Sequence, residues 1–439
     1  MDFYPVEERR EPLWKWFVGI ILLSFITLTT GSPNLYPSQI DHIQESLHIS
    51  KGLATFMLTG GVMLMYITLP TGVFMDHFGT TITYFISIGI TVVSYIALPF
   101  CSNIPGLFIF IYLLMAFGSS SMFIVNLEIA LSRSPPKIKG FSTSIVSASL
   151  SLSFGIFLEI FKVGKKSTII KCRGYECVFS SFQIVAIVIV AIIVVLSPIS
   201  FYFFRQFEPE AQEKAQTTMK RHTIFCQFRF YLLLLLMFLT VFDGLLVVSG
   251  GSMIWNLYGK GYPNGASDWG IVFSVINCIF TISLSALLDF FLHRFKVGRP
   301  NTFGIFWILM GIIPLVVGVL FKFTDNGTLF GIFVSLMGIP FGFGLTQIPA
   351  ITSDYFGNEL FGFIFGLIQI GSIAASACTM PLVQMMKKND VMITFFVCAA
   401  FHLIFGFLLK FIHRIEKVHD DILAETGVAD SLNDSSAAL

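Results

Sequence analysis

The sequence predicts an all-α integral membrane protein with twelve transmembrane helices in two six-helix pseudo-repeats. Composition, the spacing of apolar runs and a short internal repeat predict it. Of 439 residues, 55% are hydrophobic and 12% charged, where soluble domains carry about 25% charged residues. Mean hydropathy is +0.81, and Phe alone supplies 50 residues. A water-soluble domain could not cover so much apolar surface, so most of the solvent must be lipid.

A bilayer core needs roughly 20 apolar residues per helix. On that rule the first half holds spans near 14–36, 52–74, 81–100, 105–131, 141–161 and 179–203. The second holds spans near 229–251, 269–290, 302–321, 328–350, 360–383 and 391–411. The first run is too long for a signal-peptide core and has no small-residue cleavage site after it, so it reads as a retained span. The domains follow: a cytoplasmic segment 1–13, a six-helix half 14–204, a charged cytoplasmic loop 205–228, a second half 229–411, and a polar cytoplasmic tail 412–439 expected to be disordered. The repeat lies at the outer end of each half's first helix. Gly31-Ser32-Pro33-Asn34-Leu35-Tyr36 in one half is echoed by Gly251-Ser252 and Asn256-Leu257-Tyr258 in the other.

With both termini inside, the inner segments hold most of the 27 Lys and Arg, the expected sign of the bias. One outer loop runs against it with Lys162, Lys165, Lys166, Lys171 and Arg173. The net charge of +1 excludes a nucleic-acid partner, because nothing would offset a phosphate backbone. The seven Cys form no C-x-x-C pair, so neither metal nor cofactor is expected. Cys172 and Cys177 share one polar loop, where a disulfide and two thiols are both open readings. Trp14 and Trp16 read as interfacial anchors.

After the second span stands Gly72-Val-Phe-Met-Asp76-His-Phe-Gly79. It resembles the G-x-x-x-D-x-x-G loop signature of the major facilitator superfamily, with Thr80 and Thr81 where basic residues are usual. Small Gly residues let helices approach closely, and the Asp can face a helix N-terminus. The equivalent helix of the second half carries Phe273-Ser274, Asn277, Thr281, Ser285 and Asp289. That pattern resembles the nodulin-like transporters and the fungal monocarboxylate-transporter homologues, with Thr281 in place of Arg and Ser285 in place of Gly. A third stretch, from Pro340 through Gly342, Gly344, Gln347, Pro349, Ser353-Asp354 and Phe356-Gly357 to Phe361-Gly362 and Gly366, is similar to the same branch. The first half echoes it at Gly118 to Ser121, Asn126, Arg133 and Gly140. The resemblance implies a major facilitator fold, with Gly72, Asp76, Gly79, Asp289, Glu128 and Arg133 as gate residues. It implies alternating access about a site between the halves, with a monocarboxylate, amino acid or similar small solute as cargo. A vacuolar or plasma membrane and action as a monomer are expected at the same level.

Polar groups inside a membrane usually face a cavity or a partner. Asp243 is the deepest carboxylate, about mid-span in the seventh helix and next to Gly244. It is the candidate for proton coupling; a structural Asp accepting interhelix hydrogen bonds is the other reading. His402 reads as a packed histidine, His222 as solvated in the central loop, and Glu159 as a local partner of Lys162. Candidates for the solute path come from the helices that line the cavity in the family fold. They are Thr27, Thr30, Ser32 and Asn34 on helix 1, Ser119, Ser120 and Ser121 on helix 4, and Ser249 and Ser252 on helix 7, with Asn277 on helix 8 and Gln347 on helix 10. No Arg falls deep in these spans, which favours a neutral, zwitterionic or weakly bound solute, or an anion held by helix N-termini.

The chain carries no G-x-x-x-x-G-K-[ST], H-E-x-x-H or G-x-S-x-G motif. Its eight His are too dispersed for an intramembrane enzyme site. The expected function is therefore a secondary active transporter, with protons as a candidate coupling ion. A solute sensor that binds without moving its ligand is the alternative.

Overall fold

A computed structural model describes residues 13–36, 43, 47–101, 104–134, 138–164, 180–205, 224–225, 227–258, 265–295, 297–357 and 360–426. Cys172, Cys177, His222 and most of the basic outer loop lie outside them. Among the described residues, twelve spans are long and apolar enough to cross a bilayer. The first half comprises α1 (Trp14–Leu35), α2 (Gly52–Phe78), α3 (Thr80–Cys101), α4 (Pro105–Ser132), α5 (Lys139–Ile160) and α6 (Gln183–Phe204). The second comprises α7 (Phe228–Val248), α8 (Asp268–Phe295), α9 (Arg299–Phe323), α10 (Gly327–Phe356), α11 (Phe361–Met385) and α12 (Lys388–Phe411).

Local chemistry sets the helix ends. Ser50 accepts from the Leu53 amide at the start of α2, and Asn326 accepts from the Leu329 amide at the start of α10. Gly79 and Gly357 close α2 and α10 at φ +86° and +78°, where a Cβ would be strained. Several spans are broken mid-membrane: α2 between Leu64 and Leu69, α9 at Gly311, α10 at Met337 and α11 at Gln369. The repeat seen in sequence marks breaks as well. The helical run of α1 ends at Thr30 and tightens into a 3₁₀ turn over Ser32–Leu35, and α7 is followed by the short helix Gly251–Tyr258. Tyr36 then packs on Tyr112 of α4, and Tyr258 stacks on Phe330 of α10.

Lipid-side surfaces are apolar: Val194, Phe290, Phe401 and Phe407 all lie exposed, as a hydrocarbon solvent requires. The halves meet along α5 against α8 and α2 against α11. Two features depart from the sequence reading. The backbone after Phe411 stays helical to Thr426, so much of the tail expected to be disordered continues α12. Trp16, expected as an anchor, is 1% exposed and donates from Nε1 to Ser134 Oγ at 3.2 Å; Trp14 is exposed.

Candidate functional site

Two matching contacts close one end of the interface between the halves. At the end of α2, Asp76 Oδ2 accepts from the Phe363 amide in the first turn of α11 at 2.8 Å. At the matching place in α8, Asp289 Oδ2 accepts from the Phe141 amide in the first turn of α5 at 2.8 Å. Each aspartate thus caps the positive end of a helix in the opposite half. Each capped amide follows a glycine, and the close approach requires one. A Cβ on Gly362 would sit 2.6 Å from Asp76 Oδ1, and one on Gly140 would sit 2.6 Å from Asp289 Oδ1. Gly72 crosses Gly362 so closely that a Cβ would fall on the Gly362 carbonyl oxygen.

A charged network surrounds the second contact. Arg299, expected in an inner loop, lies in the first turn of α9 and is 3% exposed. Its Nη1 donates to Asp289 Oδ1 at 3.0 Å and to Gln347 Oε1 at 3.2 Å, and its Nε donates to Asp354 Oδ2 at 2.8 Å. Lys139 of α5 crosses to the other half, 2.5 Å from Ser353 Oγ and 3.9 Å from Asp354. Arg133 is buried and donates to the Phe204 carbonyl at 2.5 Å. Glu128 sits within electrostatic range of Asp76, Lys139 and Arg133.

Away from that end, a narrow cavity opens between the halves. Its walls come from α1, α2, α4 and α5 on one side, and from α7, α8, α10 and α11 on the other. The Major Facilitator Superfamily matches the sequence over residues 17–381. The chain belongs to that superfamily.

No curated protein matches the sequence. Among solved structures, the fold is similar to the proton:xylose symporter XylE bound to 6-bromo-6-deoxy-D-glucose. The TM-score is 0.71 at 12% identity, over 91% of this chain and 96% of that one. It is also similar to the transporter FucP in its outward conformation, with TM-score 0.64 at 12% identity over 90% and 99%. A variant of FucP, the fucose:proton symporter of E. coli, gives 0.63 at 11%, over 90% and 99%. Identities this low speak for the fold alone.

The structure separates the sequence candidates into four groups. Thr30, Asn34, Ser119 and Ser120 line the cavity. Others are bonded within one half. Thr27 accepts from Asn126 Nδ2 at 3.0 Å, and Ser121 pairs with Thr71 at 2.7 Å. Ser32 contacts the Tyr95 hydroxyl, and Asn277 Oδ1 accepts from Thr281 at 2.9 Å beside Gly342. Gln347 belongs to the charged end: besides Arg299 it reaches Ser285 Oγ at 2.7 Å. Ser249 follows α7 outside the cavity wall, and Ser252 lies in the short helix after it.

Sequence reasoning missed the cavity residues Tyr66, Ser151 and Gln369. Tyr66 and Gln369 stand at the breaks in α2 and α11, which no Pro or Gly at the break itself announces.

Asp243 is fully buried but does not line the cavity. Its Oδ2 lies 3.3 Å from His402 Nε2 on α12, a pairing that the packed-histidine reading did not anticipate. His402 Nδ1 is 2.9 Å from the Cys398 carbonyl, and the ring stacks on Trp307 of α9 at 4.6 Å. The Asp243–His402 pair is close but misaligned and completes no hydrogen bond between the two side chains, while the Cys398 thiol lies against Asp243. One residue on, Gly244 lies flat against the Phe341 ring, which forms part of the cavity wall.

Proposed function

We propose that this chain is a secondary active transporter that moves a small organic solute by alternating access, with protons as the coupling ion. The observation that carries the reading is a cavity lined from both halves and closed at one end by the Asp76 and Asp289 contacts. Both contacts join opposite halves, so rocking one half against the other breaks them together and opens the cavity to the other side. In this reading Gly72, Asp76, Gly79, Glu128, Arg133 and Asp289 work as the gate, joined by Lys139, Arg299 and Asp354.

Proton coupling rests on Asp243 and His402. A carboxylate and an imidazole that face each other at 3.3 Å in a fully buried site are stable as a neutral pair, because an isolated charge there is expensive. Gly244 and Phe341 link that pair to the cavity wall. Two of the similar structures are symporters that use protons, which supports this part of the reading.

The test is uptake into proteoliposomes under an imposed pH gradient, wild type beside Asp243→Asn. Gradient-driven accumulation that is lost in the variant supports a proton-coupled carrier. Accumulation unchanged by the variant removes Asp243 from coupling. Ligand binding without any uptake by folded protein would favour the solute sensor instead.

A further inference from the structure

Resting on the carrier reading, we propose that the cavity recognises a neutral, multiply hydroxylated solute of sugar or polyol type, and neither a carboxylate, an ammonium nor a zwitterion. Its walls offer hydroxyls, amides and aromatic rings. No Asp, Glu, Lys, Arg or His is among the described residues that line it.

The hydrogen-bonding capacity is mixed and uncharged. Thr30 donates to the Thr27 carbonyl at 2.7 Å, and Ser274 donates to the Gly270 carbonyl at 3.1 Å. Each hydroxyl has spent its only proton on its own helix and keeps oxygen lone pairs as acceptors. The Asn34 amide oxygen is a further acceptor, buried and without a partner. Ser120, 2% exposed, has no partner at all. A buried polar group without a partner is costly, so Ser120 and Asn34 in a cavity wall mark the places a ligand satisfies. A ligand that satisfies them brings groups that both donate and accept, as hydroxyls do.

A carboxylate meets no cationic side chain in this wall. The backbone offers no alternative anion site at the helix breaks. The amides of Met65, Tyr66, Ile67 and Thr68 all donate to carbonyls within α2, and those of Gln369 and Ile373 do so within α11. A cation would find acceptors and rings but no balancing carboxylate, since Asp243 faces His402 behind Phe341. The apolar part of the wall, Phe123, Phe154, Phe273 and Phe341, suits the C–H face of a ring-shaped or extended polyol. That division between a few placed polar groups and an apolar wall is typical of small-molecule sites.

The experiment uses full-length protein and a defined panel: glucose, xylose, mannitol, lactate, alanine and choline. Thermal unfolding in detergent reads binding, and proteoliposome uptake reads transport. At least one of glucose, xylose or mannitol should raise the melting temperature and be taken up saturably. Ser120→Ala and Asn34→Ala, each folded as judged by an unchanged apo melting temperature, should weaken it about threefold to tenfold. Removing single hydroxyls from the active sugar should cost a similar factor.

Response to lactate, alanine or choline alone overturns the solute class while leaving the carrier reading intact. Silence across the whole panel also overturns the class. The carrier reading is then judged separately by whether a cysteine placed beneath the inner gate alternates between protected and labelled states.

Discussion

Replacing Arg299 by Gln tests whether the charged end stabilises the closed gate rather than the fold at large. The guanidinium is 2% exposed and bonds Asp289, which is 6% exposed, at 3.0 Å. Removing it leaves Asp289 buried, with the Phe141 amide as its remaining partner in that contact. Stranding one member of a buried pair costs about 3–5 kcal/mol. The second partner adds little to this. Asp354 is 35% exposed, and an ion pair that wet contributes about 0–1 kcal/mol. The loss falls on the closed state specifically, because water reaches Asp289 once the halves part. A shift of about 3 kcal/mol changes the closed-to-open ratio by a factor of roughly 150. The assay is the maleimide labelling rate of Thr143→Cys, one turn into α5 and fully buried, in a background without native cysteines. Arg299→Gln should speed labelling by at least an order of magnitude. Adding Asp289→Asn should slow it again, because the stranded charge is then gone. Equal labelling in wild type and the single variant would refute the reasoning, as would a double variant that labels faster than the single.

Three further outcomes follow from the same geometry. Gly72→Ala places a methyl on the Gly362 carbonyl, a backbone atom that cannot give way, so this end should stay open and uptake fall at least tenfold, read by the same labelling and by transport. Thr27→Val leaves Asn126 Nδ2 without its acceptor at 3.0 Å; interhelix hydrogen bonds in membranes average about 0.6 kcal/mol with a maximum near 1.7, so unfolding should show a loss in that range with the solute affinity unchanged. His402→Gln, which keeps a hydrogen-bonding side chain beside Asp243 but cannot titrate, should allow solute exchange down a concentration gradient while abolishing accumulation driven by a pH gradient; gradient-driven accumulation at the wild-type level would exclude His402 from coupling.

The spans were legible because the signal for each is an average over some twenty side chains, which a single odd residue cannot mask. Their ends in sequence and structure differ by only a few residues. The glycine-aspartate contacts were legible in part. The Gly72 to Gly79 and Asp289 patterns name the right side chains, but no local rule pairs Asp76 with Phe363, 287 residues away. Arg299 was hidden by its neighbours. It sits just before Pro300 in a run of basic and loop-forming residues, which reads as a wet connection, while Pro300 in fact opens α9 and turns the guanidinium inward. The sorting of Ser and Thr was not legible at all. Thr27 and Thr30 are one turn apart on α1, yet one joins α4 and the other lines the cavity. Which of two such hydroxyls meets a neighbouring helix depends on the rotation of the helix, and a small polar residue serves equally as packing contact or ligand contact.

The distribution of charge carries a consequence for the cycle. Arg299, Asp289, Asp354 and Lys139 are gathered at one end, and the cavity wall is neutral. Contacts at an end of the bundle exchange a partner for water when the gate opens, so each state has a solvent for its charges and the difference between states stays small. A charge at the midplane has no such exchange. It would hold its cost in both states unless the solute itself brought the counter-charge, and the empty carrier would then have to cross with that charge bare. A neutral cavity avoids this, and the buried Asp243–His402 pair in the second half can stay neutral by retaining one proton. The arrangement lets closure at the charged end be strong while the loaded and empty carriers meet similar electrostatic barriers in the middle.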